Sequence, residues 1–217
     1  MADRPILFSA PMVRALLANR KTQTRRVIKP RKHASLFDGG WTDSYVLDPG
    51  NEEWRQREIP IKLGDRLWVR EAWAATSGVD SKKPSDIDED ETNILYLADQ
   101  AWKLPPDDMT RAGKGRPSMF MLRWASRLTL IVTDVRVERL QDISEADAIA
   151  EGANQYSSST KLSRAFNPDW KGIYREGYAE LWNAINGPGA WESNPWVVAY
   201  TFRVIRQNID QIDREAA

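Results

Sequence analysis

The sequence predicts an α+β fold in which short helices alternate with β-strands. Three observations support this prediction. An apolar strand over residues 6–8 is followed at once by helix-start signals, strand-forming residues cover 128–137, and apolar residues recur at helical spacing over 174–185. Such an order suits a small closed or nearly closed β-barrel with short helices over its openings. The periodicity alone supports only a mixed arrangement of helices and strands.

The first elements are a strand, a helix and a second strand. Ser9 and Pro11 supply an N-cap and a first-turn proline for a helix that runs to about Ala18. Asn19 is suited to the end of this helix because asparagine tolerates the left-handed backbone conformation. Residues 22–28 are rich in β-branched side chains and predict the second strand.

Two long segments, at about residues 31–59 and 76–118, interrupt the predicted elements. Both combine glycine, proline and scattered charges, and we interpret them as long loop insertions. Between them, a turn at Gly64 and Asp65 leads into an alternating strand over 66–73.

The last third of the chain carries three further elements. Ser144 and Asp147 have capping-box spacing and predict a short helix, a longer helix follows it, and residues 196–205 predict a final strand. No internal repeat and no linker requires two domains. The sequence therefore predicts a single domain over residues 1–206 and a flexible C-terminal tail over 207–217.

The composition excludes several kinds of site. Hydrophobic residues make up 41% of the 217 residues, which is enough for a packed core, while cysteine is absent and His33 is the single histidine. The chain therefore has no disulfide, no thiol nucleophile and no Cys-ligated metal, and a zinc site would have to rest on carboxylates. We predict neither a metal nor any other cofactor.

Hydropathy gives no sign of a membrane partner. No apolar run approaches the ~20 residues that span a bilayer, and the N-terminus lacks the apolar core of a secretory signal. The sequence therefore predicts a soluble, cytoplasmic protein. It indicates no particular oligomeric state.

The charge of the chain is balanced overall but concentrated locally. Lysines and arginines number 31, as do aspartates and glutamates, yet residues 5–37 contain eight basic residues and no acid. Lys21, Thr24, Arg25 and Arg26 lie within this basic stretch, where the first helix leads into the second strand. Such a patch attracts anions and could hold a phosphate, a nucleobase or a hydrolytic site, with a solvated strand edge as the simpler alternative.

Lys21, Thr24 and Arg26 resemble the Gly-x-Lys-x-x-Glu-x-Arg signature of the ASCH domains, which are relatives of the PUA RNA-binding fold. Asn19 stands at the signature glycine, and Thr24 replaces the common glutamate. The threonine resembles a branch of small bacterial amidohydrolases that deacetylate N4-acetylcytidine. The longer chain, with its stretch over 64–71, also resembles ASCH-like proteins carried by phages and prophages. This resemblance implies a PUA-like barrel.

The same resemblance implies a hydrolase that removes an acyl group from the exocyclic amine of a modified cytidine-type nucleoside. Lys21 is then the base, Thr24 the nucleophile and Glu151 the acid. The usual Ser-His and Cys-His pairs are nearly excluded by the composition. A threonine hydroxyl activated by lysine is the nucleophile that the basic stretch offers.

Lys21 can act as a base only if its pKa falls. Burial or neighbouring cations lower the pKa of a lysine, and Arg20, Arg25 and Arg26 supply such cations. In a regular strand, Lys21 and Thr24 face opposite sides. Their side chains converge only if Lys21 belongs to the turn after the helix, or if a bulge intervenes.

Glu151 matches the position of the catalytic glutamate in those amidohydrolases, near the end of a short helix that follows a long strand. A carboxylate in the last turn faces the negative end of the helix dipole. This disfavours its charged form by roughly 0.3–1 kcal/mol and suits a general acid. The alternative is an exposed glutamate at a frayed helix end.

Other residues are candidates for substrate binding. A bidentate arginine can hold a carbonyl or phosphate group, and an aromatic ring can stack on a base. Each candidate also has a simpler interpretation as a core side chain or a member of a cross-strand ion pair. The candidates are Arg20, Arg26, Trp68, Arg70, Glu71, Trp124 and Tyr156.

Two other functions stay open. A non-catalytic module that binds RNA or a modified base would use the same basic stretch. A ribonuclease is the third candidate, because some ASCH domains have been linked to RNA cleavage. The balanced charge argues mildly against a long nucleic-acid footprint. The expected partner is therefore a modified nucleoside or RNA.

Overall fold

The computed structural model of the protein describes residues 1–30, 35–154 and 173–212. Its strands are β1 (Asp3–Leu7), β2 (Gln23–Val27), β3 (Arg66–Arg70), β4 (Trp73–Thr76), β5 (Ile94–Tyr96), β6 (Ala101–Trp102), β7 (Ala112–Arg116), β8 (Thr129–Arg139) and β9 (Trp196–Ile205). Its helices are α1 (Ala10–Leu17), α2 (Asp43–Leu47), α3 (Glu52–Glu58), α4 (Glu145–Ala150) and α5 (Ile173–Asn186).

These elements confirm the predicted α+β class, with short helices between the strands. The strands form two sheets, and no closed barrel is detected in the described parts of the chain, so the PUA-like barrel stays a prediction. No helix in those parts is long and apolar enough to cross a bilayer. The chain divides into two compact units, and the predicted single domain also stays a prediction.

The first unit comprises Met1–Asn19, Leu63–Thr133 and Phe202–Ala217. In it, β1 runs parallel to β3, and β3 runs antiparallel to β8. A second sheet has the strand order β6-β5-β4-β7. Its hydrophobic core contains Trp73, Ala75, Val79, Ile87, Ile94, Tyr96, Met121 and Ala125.

Local signals act as expected in this unit. Leu67 and Val69 are buried, whereas Trp68 and Arg70 are half-buried, as alternation along a strand with one core face predicts. Asn19 follows α1 with a φ of 53°, which is the left-handed conformation expected at that helix end.

The second unit comprises Arg20–Lys62 and Asp134–Thr201. Its strand order is β8-β9-β2, so β2 is an edge strand among the described residues. β2 pairs antiparallel with β9 in an unbroken register from Gln23 opposite Thr201 to Val27 opposite Val197. Ser144 is the N-cap of helix α4, and its hydroxyl accepts a hydrogen bond from the Asp147 backbone N–H at 3.0 Å. The core contains Leu140, Ile143, Ala148, Ala153, Tyr178, Trp182 and Val197.

Both segments interpreted as loop insertions contain regular structure, which corrects that prediction. The described part of the segment 31–59 contains α2 and α3, and the segment 76–118 contributes β5, β6 and β7 to the second sheet. Arg55 joins the two helices of the first segment, because its Nη1 donates to the backbone oxygens of Val46 at 2.5 Å and Asp48 at 2.7 Å. These elements are short, and packing rather than periodicity determines them.

The chain is also packed where the sequence predicts a flexible tail. Asn208 is 9% exposed, and Ile209 is fully buried. The Asn208 side-chain amide donates to the backbone oxygens of Arg123 at 2.8 Å, Trp124 at 3.2 Å and Ser126 at 2.8 Å. Residues 213–217 lie outside the described residues.

We expect Asn208→Ala to lower the free energy of unfolding by about 2–3 kcal/mol, because it removes the donor that satisfies these backbone oxygens. Urea-induced unfolding measures the change. Gln207→Ala, an exposed neighbour, is the control and should change stability by less than about 0.5 kcal/mol. Equal effects of the two substitutions would contradict the anchoring role of Asn208.

Candidate active site

Lys21 and Glu151 meet in the second unit. Lys21 lies in the irregular segment just before β2, and Glu151 is the C-cap residue of α4. The Thr22 backbone N–H donates to the Ala150 oxygen at 2.8 Å and holds the two segments together. Lys21 Nζ donates to Glu151 Oε2 at 2.6 Å and to the Glu151 backbone oxygen at 2.9 Å. The structure therefore brings two of the three predicted catalytic residues into direct contact.

This contact is inaccessible to bulk water. The side chain of Lys21 is 1% exposed and that of Glu151 is 3% exposed. Two further donors reach the other carboxylate oxygen of Glu151: Arg25 Nη1 lies at 3.2 Å from Oε1, and the Tyr178 hydroxyl lies at 3.4 Å. Glu151 is thus the acceptor of a buried cluster and not an exposed glutamate at a frayed helix end.

Arg25 extends the cluster to two more carboxylates. Its Nε donates to Glu138 Oε1 at 2.7 Å, and its Nη2 lies 3.3 Å from Asp147 Oδ2. Gln23 donates to Asp147 Oδ1 at 3.1 Å, and so does Arg136. We call this set the Lys21–Glu151 network; it consists of Lys21, Gln23, Arg25, Arg136, Glu138, Asp147, Glu151 and Tyr178.

Cations and carboxylates are equal in number within the Lys21–Glu151 network. Lys21, Arg25 and Arg136 are three cations, and the three carboxylates belong to Glu138, Asp147 and Glu151; Arg136 also pairs with Asp134 at 3.2 Å. Buried charges are tolerated when they are paired and hydrogen-bonded in this way. A proton can move within the network without changing its total charge.

Burial sets the protonation behaviour of the network. It lowers the pKa of the Lys21 ammonium below its ordinary value; Glu151 opposes this shift, and Arg26 and Arg25 add to it. Burial, followed by the nearby Glu151 carboxylate, raises the pKa of Tyr178 well above its ordinary value. Tyr178 therefore stays protonated and acts as a donor.

Thr24 lies on the other face of β2. Gln23 and Arg25 make hydrogen bonds within the Lys21–Glu151 network, and successive residues of a strand face opposite sides, so Thr24 lies on the strand face opposite Gln23 and Arg25. It is 2% exposed and lies opposite Tyr200 in the strand register. Lys21 precedes the strand, which meets one of the two alternative conditions for convergence with Thr24, and no bulge interrupts β2. Arg25 is the strand residue that shares Glu151 with Lys21.

The predicted substrate-binding residues are distributed over both units. Arg20 and Arg26 belong to the second unit and are exposed, and Arg26 shares the face of β2 that carries Thr24. Tyr156 lies outside the described residues, as does His33.

The remaining candidates belong to the first unit. The buried Glu71 accepts two hydrogen bonds from Arg127, both at 2.9 Å, so its ion-pair partner is Arg127. Burial raises the pKa of Glu71, and Arg127 opposes this shift. The Arg70 guanidinium lies 5.3 Å from the ring centre of Trp68, and the Lys103 ammonium lies 5.0 Å from that of Trp124. These contacts are cation–π pairs within the first unit.

Sequence reasoning missed several members of the Lys21–Glu151 network. Gln23 and Arg25 follow Lys21 at a spacing of two, which is the strand period and could have identified them. The capping-box spacing of Ser144 and Asp147 predicts only a capping role for Asp147. Glu138 and Tyr178 carry no local signal, since their place in the network depends on how β8 and α5 pack.

Comparison with known proteins adds no further constraint. No family model, no curated protein and no solved structure matches the chain. The functional assignment therefore rests on the geometry of the site and on the resemblance of the Lys21 motif.

We expect the Lys21–Glu151 contact to contribute little net stability. Lys21→Met alone leaves a buried carboxylate with fewer donors and should lower the free energy of unfolding by about 3 kcal/mol. The double variant Lys21→Met/Glu151→Leu removes both charges. Its free energy of unfolding should lie within about 1 kcal/mol of that of the unsubstituted protein, or exceed it. Urea-induced unfolding of the three proteins measures this. A double variant as unstable as Lys21→Met would show that the pair is required for folding.

Proposed function

We propose that the protein hydrolyses the acyl amide on the exocyclic amine of a cytidine-type nucleoside, with Lys21 as base, Thr24 as nucleophile and Glu151 as acid. The observation that carries the proposal is the 2.6 Å contact between the buried Lys21 ammonium, whose pKa is lowered, and the Glu151 carboxylate. The resemblance to ASCH-type amidohydrolases and to their PUA-like barrel belongs to the same proposal.

The Lys21–Glu151 contact suits a reaction that needs one base and one acid. Transfer of a single proton from Lys21 to Glu151 converts the ion pair into a neutral amine and a carboxylic acid. A dry environment favours the neutral pair relative to water, because it disfavours separated charges. The total charge of the surrounding network does not change during this transfer.

The proposed reaction has two stages, acylation of Thr24 and hydrolysis of the acyl-threonine ester. Thr24 Oγ adds to the acyl carbonyl carbon while its proton passes to the Lys21 amine, and the C–N bond breaks while the leaving amine takes a proton from Glu151. Water next adds to the acyl-threonine ester and gives a proton to Glu151. The ester C–O bond breaks, Thr24 Oγ recovers its proton from Lys21, and a carboxylic acid is released.

The position of β2 places the candidate residues at the edge of a sheet. Among the described residues, β2 is the edge strand of its sheet, Thr24 is its second residue, and Lys21 lies two residues before its start. The Thr24 hydroxyl can pass its proton to the Lys21 amine only if both groups meet on one side of the substrate, and Lys21, which precedes the strand, is not confined to one strand face. The mechanism requires this meeting at the start of β2.

We expect Thr24→Ala to reduce turnover of N4-acetylcytidine by at least about 10³-fold, because it removes the nucleophile. Thr24→Ser keeps a hydroxyl and should retain a measurable part of the activity. Thr22→Ala is the matched control, since Thr22 is exposed and lies two residues away on the same segment. Chromatographic conversion to cytidine is the measurement. Full turnover by Thr24→Ala would show that water attacks directly and that Thr24 is not the nucleophile.

We expect kcat/KM to fall as pH rises through the pKa of Lys21, because the reactive pair of a Lys21 amine and a Glu151 carboxylic acid shares one proton, and its loss leaves no acid for the leaving amine. Since the pKa of Lys21 is lowered, the midpoint of this fall should lie below the ordinary lysine value of about 10.4. Glu151→Gln has no carboxyl proton to lose and removes the charge that opposes the shift, so any residual activity should instead rise with pH, with its midpoint at lower pH. A fall in the unsubstituted protein centred at or above the ordinary lysine value would contradict the role of Lys21 as base.

A second candidate is a non-catalytic module that binds a modified base or RNA. The observation that favours it is the near-complete burial of Lys21, Thr24 and Glu151, which also suits a structural network beneath a recognition surface. Saturable binding of N4-acetylcytidine or a short RNA, without turnover at any pH, would support this function over hydrolysis.

A further inference from the structure

A cavity of about 310 Å³ lies in the second unit, beside the face of β2 that carries Thr24. This volume is at the lower end of the range of about 300–1,000 Å³ that small-molecule sites occupy. Strands β2 and β9 supply one part of the lining, and the chain after α3 supplies the other. The lining residues are Arg26, Val27, Ile28, Lys29, Glu58, Ile59, Pro60, Ile61, Val198 and Tyr200.

The strand register connects this cavity to Thr24. Tyr200 lies directly opposite Thr24, and Val198 lies opposite Arg26. Opposed residues of an antiparallel pair share a face, so these four side chains lie on one side of the sheet. Arg26 follows Thr24 by two residues, about 7 Å along the strand. The nearest lining residue of β2, Arg26, therefore lies about 7 Å along the strand from Thr24, on the same face.

The lining is mainly apolar with an excess of positive charge. Six of its residues are aliphatic or proline, and the ionisable groups are Arg26, Lys29, Glu58 and the Tyr200 phenol. The Glu58 carboxylate accepts hydrogen bonds from the Ser35 hydroxyl and from the Leu36 backbone N–H, and with its charge counted the lining still carries one more positive than negative charge. The charge balance suits a ligand with an apolar body and one negative group.

We propose that this cavity holds the acyl part of the substrate and that the preferred acyl group is larger and more apolar than acetyl, such as a branched or aromatic acyl group. This inference rests on the proposed hydrolase function. The reaction releases the acyl group as a carboxylic acid, which ionises at neutral pH. The aliphatic lining packs against the acyl body, and the positive charges of Arg26 and Lys29 attract the carboxylate that forms.

Part of the segment 31–59 has a role in this proposal, because it forms one wall of the cavity. The end of α3 and the chain after it build one wall of the cavity through Glu58, Ile59, Pro60 and Ile61. An apolar wall distinguishes acyl groups by size, because each additional methylene in a hydrophobic pocket changes kcat/KM by about 10–200-fold. Specificity for the acyl group thus comes from this segment.

The test compares N4-benzoylcytidine with N4-acetylcytidine as substrates of the full-length protein. We expect the benzoyl compound to be preferred by about tenfold or more in kcat/KM. Ile61→Trp fills the cavity and should abolish the preference, because it lowers kcat/KM for the benzoyl compound more than for the smaller acetyl compound. Leu63→Trp places the same side chain at a position that is 68% exposed and outside the lining, and it should keep the preference.

A titration with benzoate, followed by NMR, separates this inference from the proposed function. Saturable benzoate binding that Ile61→Trp abolishes and Lys29→Met weakens supports the cavity assignment even if neither nucleoside is hydrolysed, in which case the proposed function fails alone. Acetyl turnover with no benzoyl preference, and with no effect of Ile61→Trp on the ratio, overturns the cavity assignment and leaves the proposed function standing. Absence of both turnover and benzoate binding overturns both.

Discussion

The buried contact between the Lys21 ammonium and the Glu151 carboxylate is the interaction on which the candidate site of the second unit depends. It joins the segment before β2 to the end of α4, and two ionised groups can be this dry only when other charges compensate them. Arg25, Glu138, Asp147 and Arg136 provide that compensation. The same pairing that makes the burial tolerable allows a proton to move between an amine and a carboxyl group, which is what acid–base chemistry needs.

Strand β2 separates two environments with different chemistry. Its Gln23 and Arg25 face the ionic network, whereas Thr24 and Arg26 face the side with the apolar cavity. An amide hydrolase needs both, because proton transfer requires ionisable groups and recognition of an acyl group requires an apolar surface. Among the described residues β2 is the edge strand of its sheet, so both environments lie next to a strand with one unpaired edge.

Most elements of the fold could be predicted from local sequence signals, whereas the site could be predicted only in part. Ser144 and Asp147 confirm a cap that spacing alone indicates, since a cap depends on neighbouring residues. The contact of Lys21 with Glu151 was expected only from the resemblance, because the two residues are 130 positions apart. Glu138, Tyr178 and the packed Asn208 could not be predicted, since their contacts depend on packing between distant segments. The two-residue β6 and the glycine-containing β7 are too short to show a period.

The most direct measurement is an NMR titration of the Lys21 side chain, followed through its ¹³Cε chemical shift, in the unsubstituted protein and in Glu151→Gln. We expect the Lys21 midpoint to lie below the ordinary value of about 10.4, because burial disfavours the ammonium. The midpoint should fall further in Glu151→Gln, because that substitution removes the carboxylate that stabilises the ammonium. A midpoint at the ordinary value in both proteins would show that Lys21 is neither buried nor coupled to Glu151, and would contradict the acid–base site.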